Sequence, residues 1–198
     1  MESKKIKLLM VADSVVKTGF STVSHNILVN LPTYRYDIAV IGVNYYGDPH
    51  NEPYKVYPAQ LGGDVYGIGR LADVCASEKP DIIFILNDAW ILDNYLGKIK
   101  EVYNGKVLPK VVVYFPADAE DHSTEWYKNF DIVTPVVYNQ FGYDVATKAE
   151  PSLKPRIIPH GADTKSFYQY PESRFEVKKR MYPDRPDYYD SFIVLNGN

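Results

Sequence analysis

The chain has 198 residues, of which 45% are hydrophobic and 24% charged, and its formal net charge is −3. That length fits one large domain or a domain and a half, and the near-neutral charge gives no chain-wide basic footprint for nucleic acid. Cys75 is the single cysteine, which excludes an intramolecular disulfide and a cysteine-rich zinc site. No apolar run approaches the roughly 20 residues that span a bilayer. These features predict a soluble, cytoplasmic protein without a clear nucleic-acid or membrane partner.

Strand and helix patterns alternate along almost the whole chain. Short apolar runs are typical of strands buried on both faces, and a period near 3.6 residues is typical of helices. In chain order the patterns predict a strand at 6–12, a helix at 20–31, strands at 37–43 and 54–57, a helix at 69–78, a strand at 82–86, a helix at 90–103, a strand at 110–115, a short helix at 124–129, a strand at 132–134, a helix at 139–148, a strand at 156–158, a helix at 164–180 and the start of a strand at 192–195. The alternation predicts an α/β fold with a doubly wound, mostly parallel, Rossmann-like sheet.

Functional residues are expected in the loops that follow strands, because ligands of such sheets bind beyond the carboxyl ends of the strands. The first of these loops contains Thr18, Gly19, Phe20 and Ser21. A glycine and hydroxyl residues at a helix start offer free backbone N–H groups and the positive end of the helix dipole to a phosphate or carboxylate. The alternative is simple helix capping by Thr18 or Ser21.

Polar side chains also follow two later strands. Asn87 and Asp88 come after the strand at 82–86, and Asp118 and His122 come after the strand at 110–115. At strand ends these groups could hydrogen-bond sugar hydroxyls or act as a base or electrostatic stabiliser. The alternative roles are helix capping and solvated loop charge.

Other familiar site patterns are missing or misplaced. The segment GIGRLA at 67–72 fits the dinucleotide fingerprint, but no buried strand precedes it, so we predict a loop entering a helix. The four histidines lack the spacing of a zinc site, and no nucleophile elbow occurs. We therefore expect no metal and no cofactor.

Four segments resemble motifs of a known family. The sequence IIPHGADTKSF at 157–167 resembles the I-P-[HN]-G-x-D-x-x-x-F segment of GT-B glycosyltransferases, particularly the retaining family 4 group. The glycine-containing loop at 14–22, the YFPAD sequence at 114–118 and the segment 133–142 are similar to family segments in kind and order. The resemblance therefore extends over most of the chain.

The resemblance implies an N-terminal domain of a glycosyltransferase that moves a sugar from a nucleotide-sugar donor to an acceptor hydroxyl, with retention of configuration. Together with the strand-end loops, it gives Asp118 and His122 as the candidate catalytic residues. The candidate substrate- and donor-binding residues are Gly19, Phe20, Ser21, Asn87, Asp88, Tyr138, His160 and Gly161. Of all these, the resemblance itself carries over Gly19, Asp118 and His160.

The resemblance also implies a domain boundary and a partner. We expect a Rossmann-like acceptor-side domain over 1–190 and the start of a donor-binding C-terminal domain at 191–198. The C-terminal domain would complete the catalytic cleft, and the nucleotide-sugar serves as donor substrate rather than as a cofactor.

A second hypothesis is a non-catalytic Rossmann-like module that binds a small ligand or a protein. The chain contains 18 tyrosines, and several fall in predicted loops, among them Tyr45, Tyr46, Tyr66 and Tyr138. Tyrosine combines an apolar ring with a polar tip, so these side chains could stack on sugar faces or form a protein-binding surface.

Overall fold

The computed structural model describes residues 4–60 and 62–194. The strands are β1 (Ile6–Asp13), β2 (Tyr36–Val43), β3 (Lys55–Pro58), β4 (Ile82–Leu86), β5 (Lys110–Phe115), β6 (Val133–Val137) and β7 (Arg156–Ile157). The helices are α1 (Gly19–Val29), α2 (Leu71–Glu78), α3 (Ala89–Val102), α4 (Gln140–Ala149) and α5 (Arg174–Met181), with short 3-10 helices at Thr124–Tyr127, Phe130–Ile132 and Pro186–Tyr188. Within those described ranges no helix is both long and apolar enough to cross a membrane.

The seven strands form one sheet in the order β3-β2-β1-β4-β5-β6-β7, and every neighbouring pair is parallel. The predicted α/β, doubly wound, Rossmann-like fold is confirmed. Because β1 pairs with both β2 and β4, the direction of winding reverses between β1 and β4. Connections diverge at such a switch point and leave a crevice beyond the carboxyl ends of the strands.

The core lies on both faces of the sheet. Leu9 and Met10 of β1 have no exposed surface and belong to opposite faces. Helices α2 and α3 cover the face of Leu9 through Leu71 and Leu92, whereas α1 covers the face of Met10 through Leu28. Burial on both faces explains why the strands read as continuous apolar runs rather than as alternating patterns.

The chain divides into two compact units, with the boundary between His160 and Gly161. The first unit contains the whole sheet and helices α1 to α4, and the second contains α5. The domain boundary expected at residue 190 stays a prediction.

The prediction of one helix over 164–180 is wrong, because only Arg174–Met181 is helical. Ser173 caps α5, and a reciprocal capping box with Glu176 fixes where the helix starts. Upstream, Asp163 closes a separate turn by accepting the Lys165 N–H at 3.0 Å. Residues 192–194 are irregular and do not form the start of the predicted strand at 192–195. The remainder of that strand, and of the segment 191–198, lies outside the described residues.

Candidate functional site

Asp13 organises the carboxyl end of β1, although the sequence did not single it out. Its Oδ2 accepts a hydrogen bond from the Thr18 hydroxyl at 2.6 Å, and its Oδ1 accepts one from the Asn44 side-chain amide at 3.0 Å. Asp13 is only 5% exposed, and its carbonyl accepts from the hydroxyl of Ser24. The carboxylate thus joins the loops that follow β1 and β2. A single charged residue closing a buried apolar run was the signal for it, because a buried charge needs hydrogen-bonding partners.

The start of α1 combines a helix cap with two available donors. Thr18 Oγ1 accepts the Ser21 N–H at 3.0 Å, and Ser21 Oγ accepts the Thr18 N–H at 2.9 Å. The capping box uses the hydroxyl of Ser21, which is buried. Ser21 therefore has the alternative role, that of a helix-capping residue, rather than that of a ligand-binding residue. Within the described ranges, the N–H groups of Gly19 and Phe20 have no protein acceptor, and both remain available to a ligand.

Beside these donors lies a cavity of about 400 Å³. The residues that line it are Gly19, Phe20, Val23, Pro116, Asp118, Tyr138 and His160. They come from the start of α1 and from the segments that follow β5, β6 and β7. The volume is within the range of roughly 300–1,000 Å³ that is typical of small-molecule sites. Five residues predicted from the sequence therefore meet in one cavity.

Tyr138 is the centre of an aromatic group at this cavity. Its ring centroid lies 4.5 Å from that of Tyr114 and 4.1 Å from that of His160. The Tyr114 hydroxyl donates to the Ile158 carbonyl at 2.7 Å, which fastens the chain after β7 onto β5. The Tyr138 hydroxyl is buried and has no hydrogen-bond partner in the described part of the chain. Burial raises the pKa of Tyr138, so its hydroxyl stays neutral, and the ring rather than the hydroxyl faces the cavity.

Asp88 belongs to a group of carboxylates at the carboxyl ends of three adjacent strands. It precedes α3 but makes no side-chain capping hydrogen bond. Burial raises the pKa of Asp88, and the negative charges of Asp118 and Asp13 raise it further. Asn87 is buried, and its side-chain oxygen accepts the Asp88 N–H at 2.9 Å, so it supports the loop rather than the cavity. The switch point between β1 and β4 therefore has an excess of negative charge.

We expect Asp88→Asn to stabilise the protein at neutral pH. The pKa of Asp88 in the folded protein is higher than its ordinary value of 3.8. At a pH between these two pKa values, the folded state binds more protons than the unfolded state. Stability contributed by the protonated group is therefore lost as the pH rises through that window. Thermal unfolding should give the variant a higher Tm than the wild type at about pH 7 and an equal Tm at about pH 3. A lower Tm for the variant at neutral pH would contradict this account of the carboxylate group.

His122 and Gly161 do not line the cavity. The His122 Nδ1 lies 2.6 Å from the Tyr127 hydroxyl, and its ring packs against the rings of Trp126 and Tyr127. Burial lowers the pKa of His122, which is the behaviour of a neutral packing histidine. Gly161 begins the second unit, and its φ lies outside the left-handed region, so the backbone there does not require glycine.

The segment 67–72 is a loop entering α2, as predicted. The carboxylate of Asp64 accepts the N–H groups of Tyr66, Gly67 and Gly69 at 3.1, 2.9 and 2.8 Å. These backbone donors are the ones that a phosphate would use in a dinucleotide site. Because the Asp64 carboxylate already accepts from these N–H groups, they are not available to a phosphate.

Of the four loop tyrosines considered for sugar stacking, Tyr138 is the one that lines the cavity. Tyr45 is 4% exposed and donates to the Asp48 carbonyl, so it belongs to the core. Tyr66 packs edge-on against Trp90 with ring centroids 5.7 Å apart. Tyr46 is exposed on the surface. Tyr138 is therefore the one of these four tyrosines that we still expect to stack on a sugar.

A second cleft, of about 490 Å³, is larger but lies away from the strand carboxyl ends. It is lined by the first half of β6 together with residues of both charges, which are Lys128, Asp131, Glu150, Lys154 and Arg156. Lys128 and Asp131 already pair with Glu125 and Lys100. Position at the strand ends therefore favours the smaller cavity as the candidate site.

No protein-family model matches the chain, and no curated protein matches it. In the described part of the chain, no group of three or more His, Cys, Asp or Glu side chains is placed to hold a metal ion. The functional assignment therefore depends on the geometry of the cavity and on the sequence motifs that contribute to it.

Proposed function

We propose that the chain is the acceptor-binding half of a GT-B glycosyltransferase, which transfers a sugar from a nucleotide-sugar donor to an acceptor hydroxyl. One observation carries the proposal. Each of the four segments that resemble the family supplies at least one residue to the same cavity, namely Gly19, Asp118, Tyr138 and His160. A parallel sheet brings the loops that follow its strands to one edge, but it does not by itself place these four residues around one cavity.

The cavity offers the contacts that an acceptor sugar needs. The rings of Phe20, Tyr138 and His160 provide apolar surfaces against which the C–H face of a sugar can pack. The Asp118 carboxylate can accept a hydrogen bond from a sugar hydroxyl and so orient its oxygen toward the donor. Holding the two reactants in fixed geometry is one source of rate acceleration in such a site.

In this proposal, the other half of the enzyme stabilises the leaving phosphate. Developing negative charge on a leaving phosphate is stabilised by cations and oriented dipoles. None of the seven residues that line the cavity is a lysine or arginine. The C-terminal domain that the resemblance implies would therefore supply the cationic contacts to the donor.

Substitution of Gly19 tests the cavity without disturbing the fold. A Cβ atom at Gly19 would meet nothing within 4 Å, and φ lies outside the left-handed region. Gly19→Ala should therefore keep or slightly raise the Tm, because alanine favours a helix more than glycine does. We expect it to weaken binding of a methyl hexopyranoside about fivefold, since a ligand that uses the free N–H groups approaches the backbone closely.

Isothermal titration of both proteins measures this difference, and the Tm of each protein is the control for folding. Unchanged sugar affinity in a well-folded Gly19→Ala variant would remove this end of α1 from the site.

The non-catalytic binding module is the second candidate, and the absence of a lysine or arginine from the cavity lining favours it. The two functions separate in a transfer assay. The complete protein encoded by the gene is incubated with UDP- and GDP-sugars and a hexoside acceptor. A glycosylated product establishes the transferase, whereas hexoside binding without any product supports the binding module.

A further inference from the structure

Asp118 is the acidic residue that lines the cavity, and Asp13 and Asp88 lie at the ends of neighbouring strands. Asp118 lines the cavity, and its charge and that of Asp13 both act on Asp88. Asp88 and Asp118 act in the same way on the Tyr138 hydroxyl in the cavity wall. With no lysine or arginine among the lining residues, a ligand that brings another negative charge meets repulsion without a compensating cation.

The start of α1 opposes this negative charge, but it does not balance it. A helix N-terminus is equivalent to roughly half a positive charge. The Asp13 carboxylate already lies at this helix start, where it accepts from the Thr18 hydroxyl at 2.6 Å. A further full negative charge is available at Asp118. Among the lining residues, Asp118 therefore adds a negative charge that no lysine or arginine offsets, beside the available N–H groups of Gly19 and Phe20.

The hydrogen-bonding groups of the cavity suit hydroxyl groups. The N–H groups of Gly19 and Phe20 are donors without a protein acceptor in the described ranges, and the Asp118 carboxylate is an acceptor. A sugar hydroxyl can accept from the first and donate to the second. The rings of Phe20, Tyr138 and His160 add apolar area for the C–H face of a pyranose. This combination of contacts suits a neutral ligand with several hydroxyl groups and one apolar face.

We propose, resting on the function proposed above, that the acceptor bound in this cavity is an uncharged pyranoside and that sugars carrying phosphate, sulfate or carboxylate are excluded. The carboxylates set the charge selectivity of the site, with Asp118 as the main determinant because it lines the cavity. The helix start contributes neutral hydrogen-bond donors to the sugar rather than a binding site for an acceptor phosphate.

The test is a paired titration of the full 198-residue chain. Methyl gluco-, galacto- and mannopyranosides are compared with their 6-phosphates by isothermal titration at low ionic strength. We expect at least one neutral glycoside to bind and its 6-phosphate to bind at least about tenfold more weakly. Asp118→Asn removes one charge without changing shape, and it should reduce this discrimination several-fold.

Glu120→Gln is the matched control. Glu120 is an exposed carboxylate in the same loop, does not line the cavity and makes no ion pair within the described residues. Its substitution should leave the ratio of the two affinities unchanged, because its charge lies outside the cavity lining. An equal change in both variants would show that the discrimination reflects the net charge of the protein rather than Asp118.

The outcomes separate this inference from the function on which it rests. Equal or tighter binding of the 6-phosphates overturns the inference alone, because a glycosyltransferase can also use an anionic acceptor. Binding of neither class overturns both, because the cavity would then not be a sugar site. The expected selectivity together with no product in the transfer assay would leave the neutral-sugar site standing and remove the transferase.

Discussion

Gly67→Ala should lower the free energy of unfolding by about 2–4 kcal/mol, the largest loss of stability that we expect from adding a single methyl group. Two separate costs produce this effect. Gly67 has a φ of +71°, in the left-handed region that residues with a Cβ atom enter at a cost of about 1–2 kcal/mol. A Cβ atom there would also lie 2.7 Å from Ile41 Cγ2 and 3.0 Å from Ala59 Cβ, so packed neighbours must move.

Gly105→Ala is the matched control for this prediction. Its φ of +70° is almost the same as that of Gly67, but its Cβ atom would meet nothing within 4 Å. Urea unfolding should therefore show a cost of about 1–2 kcal/mol for Gly105→Ala, the conformational part alone. Equal losses in the two variants would mean that the loop before α2 is not packed against β2 as the structure shows.

Tyr138→Phe should stabilise the protein by about 1 kcal/mol and leave its affinity for a sugar unchanged. The hydroxyl is buried without a partner, which costs a folded protein about 1–3 kcal/mol, so its removal relieves that cost. The ring lines the cavity whereas the hydroxyl has no surface exposed to it, so a sugar packed on the ring loses no contact in this variant. Thermal unfolding and isothermal titration with a methyl hexopyranoside measure the two effects independently.

The neighbouring tyrosine gives the opposite expectation. Tyr114 donates to the Ile158 carbonyl at 2.7 Å, so Tyr114→Phe leaves that carbonyl without its partner and should destabilise the protein by about 1 kcal/mol. A stabilising Tyr114→Phe, or a destabilising Tyr138→Phe, would show that the two hydroxyl groups are not arranged as described. Weaker sugar binding by a well-folded Tyr138→Phe variant would show that a bound sugar does reach the hydroxyl.

Most of the sheet could be predicted because burial on both faces leaves a direct mark in the sequence. The run at 111–115 is continuous and apolar, and the strand predicted at 110–115 has the same bounds as β5. Strand β6 was predicted only at 132–134, since Pro135 usually ends a strand, yet β6 extends to Val137. β7 pairs only with Val136 and Val137 of β6. In the described residues, no strand therefore pairs with the edge of β6 at Pro135, and its missing N–H is tolerated there.

The candidate site was predictable at the level of loops rather than of individual side chains. The rule that ligands bind beyond strand ends placed Asp118 and Tyr138 together, because parallel strands deliver their following loops to one edge. Spacing along the chain does not reveal which polar group is already used within the protein. Ser21 is occupied by the capping box and His122 by Tyr127, and both hydrogen bonds depend on local conformation.

The most direct test of the account is an amide NMR titration of the labelled chain with neutral methyl hexopyranosides. We predict that the largest chemical-shift changes fall at Gly19, Phe20, Asp118, Tyr138 and His160, which come together at the strand carboxyl ends. Changes confined to the larger cleft around Lys154 and Arg156, or no saturable change with any of the sugars, would contradict the assignment of this cavity as a sugar-binding site.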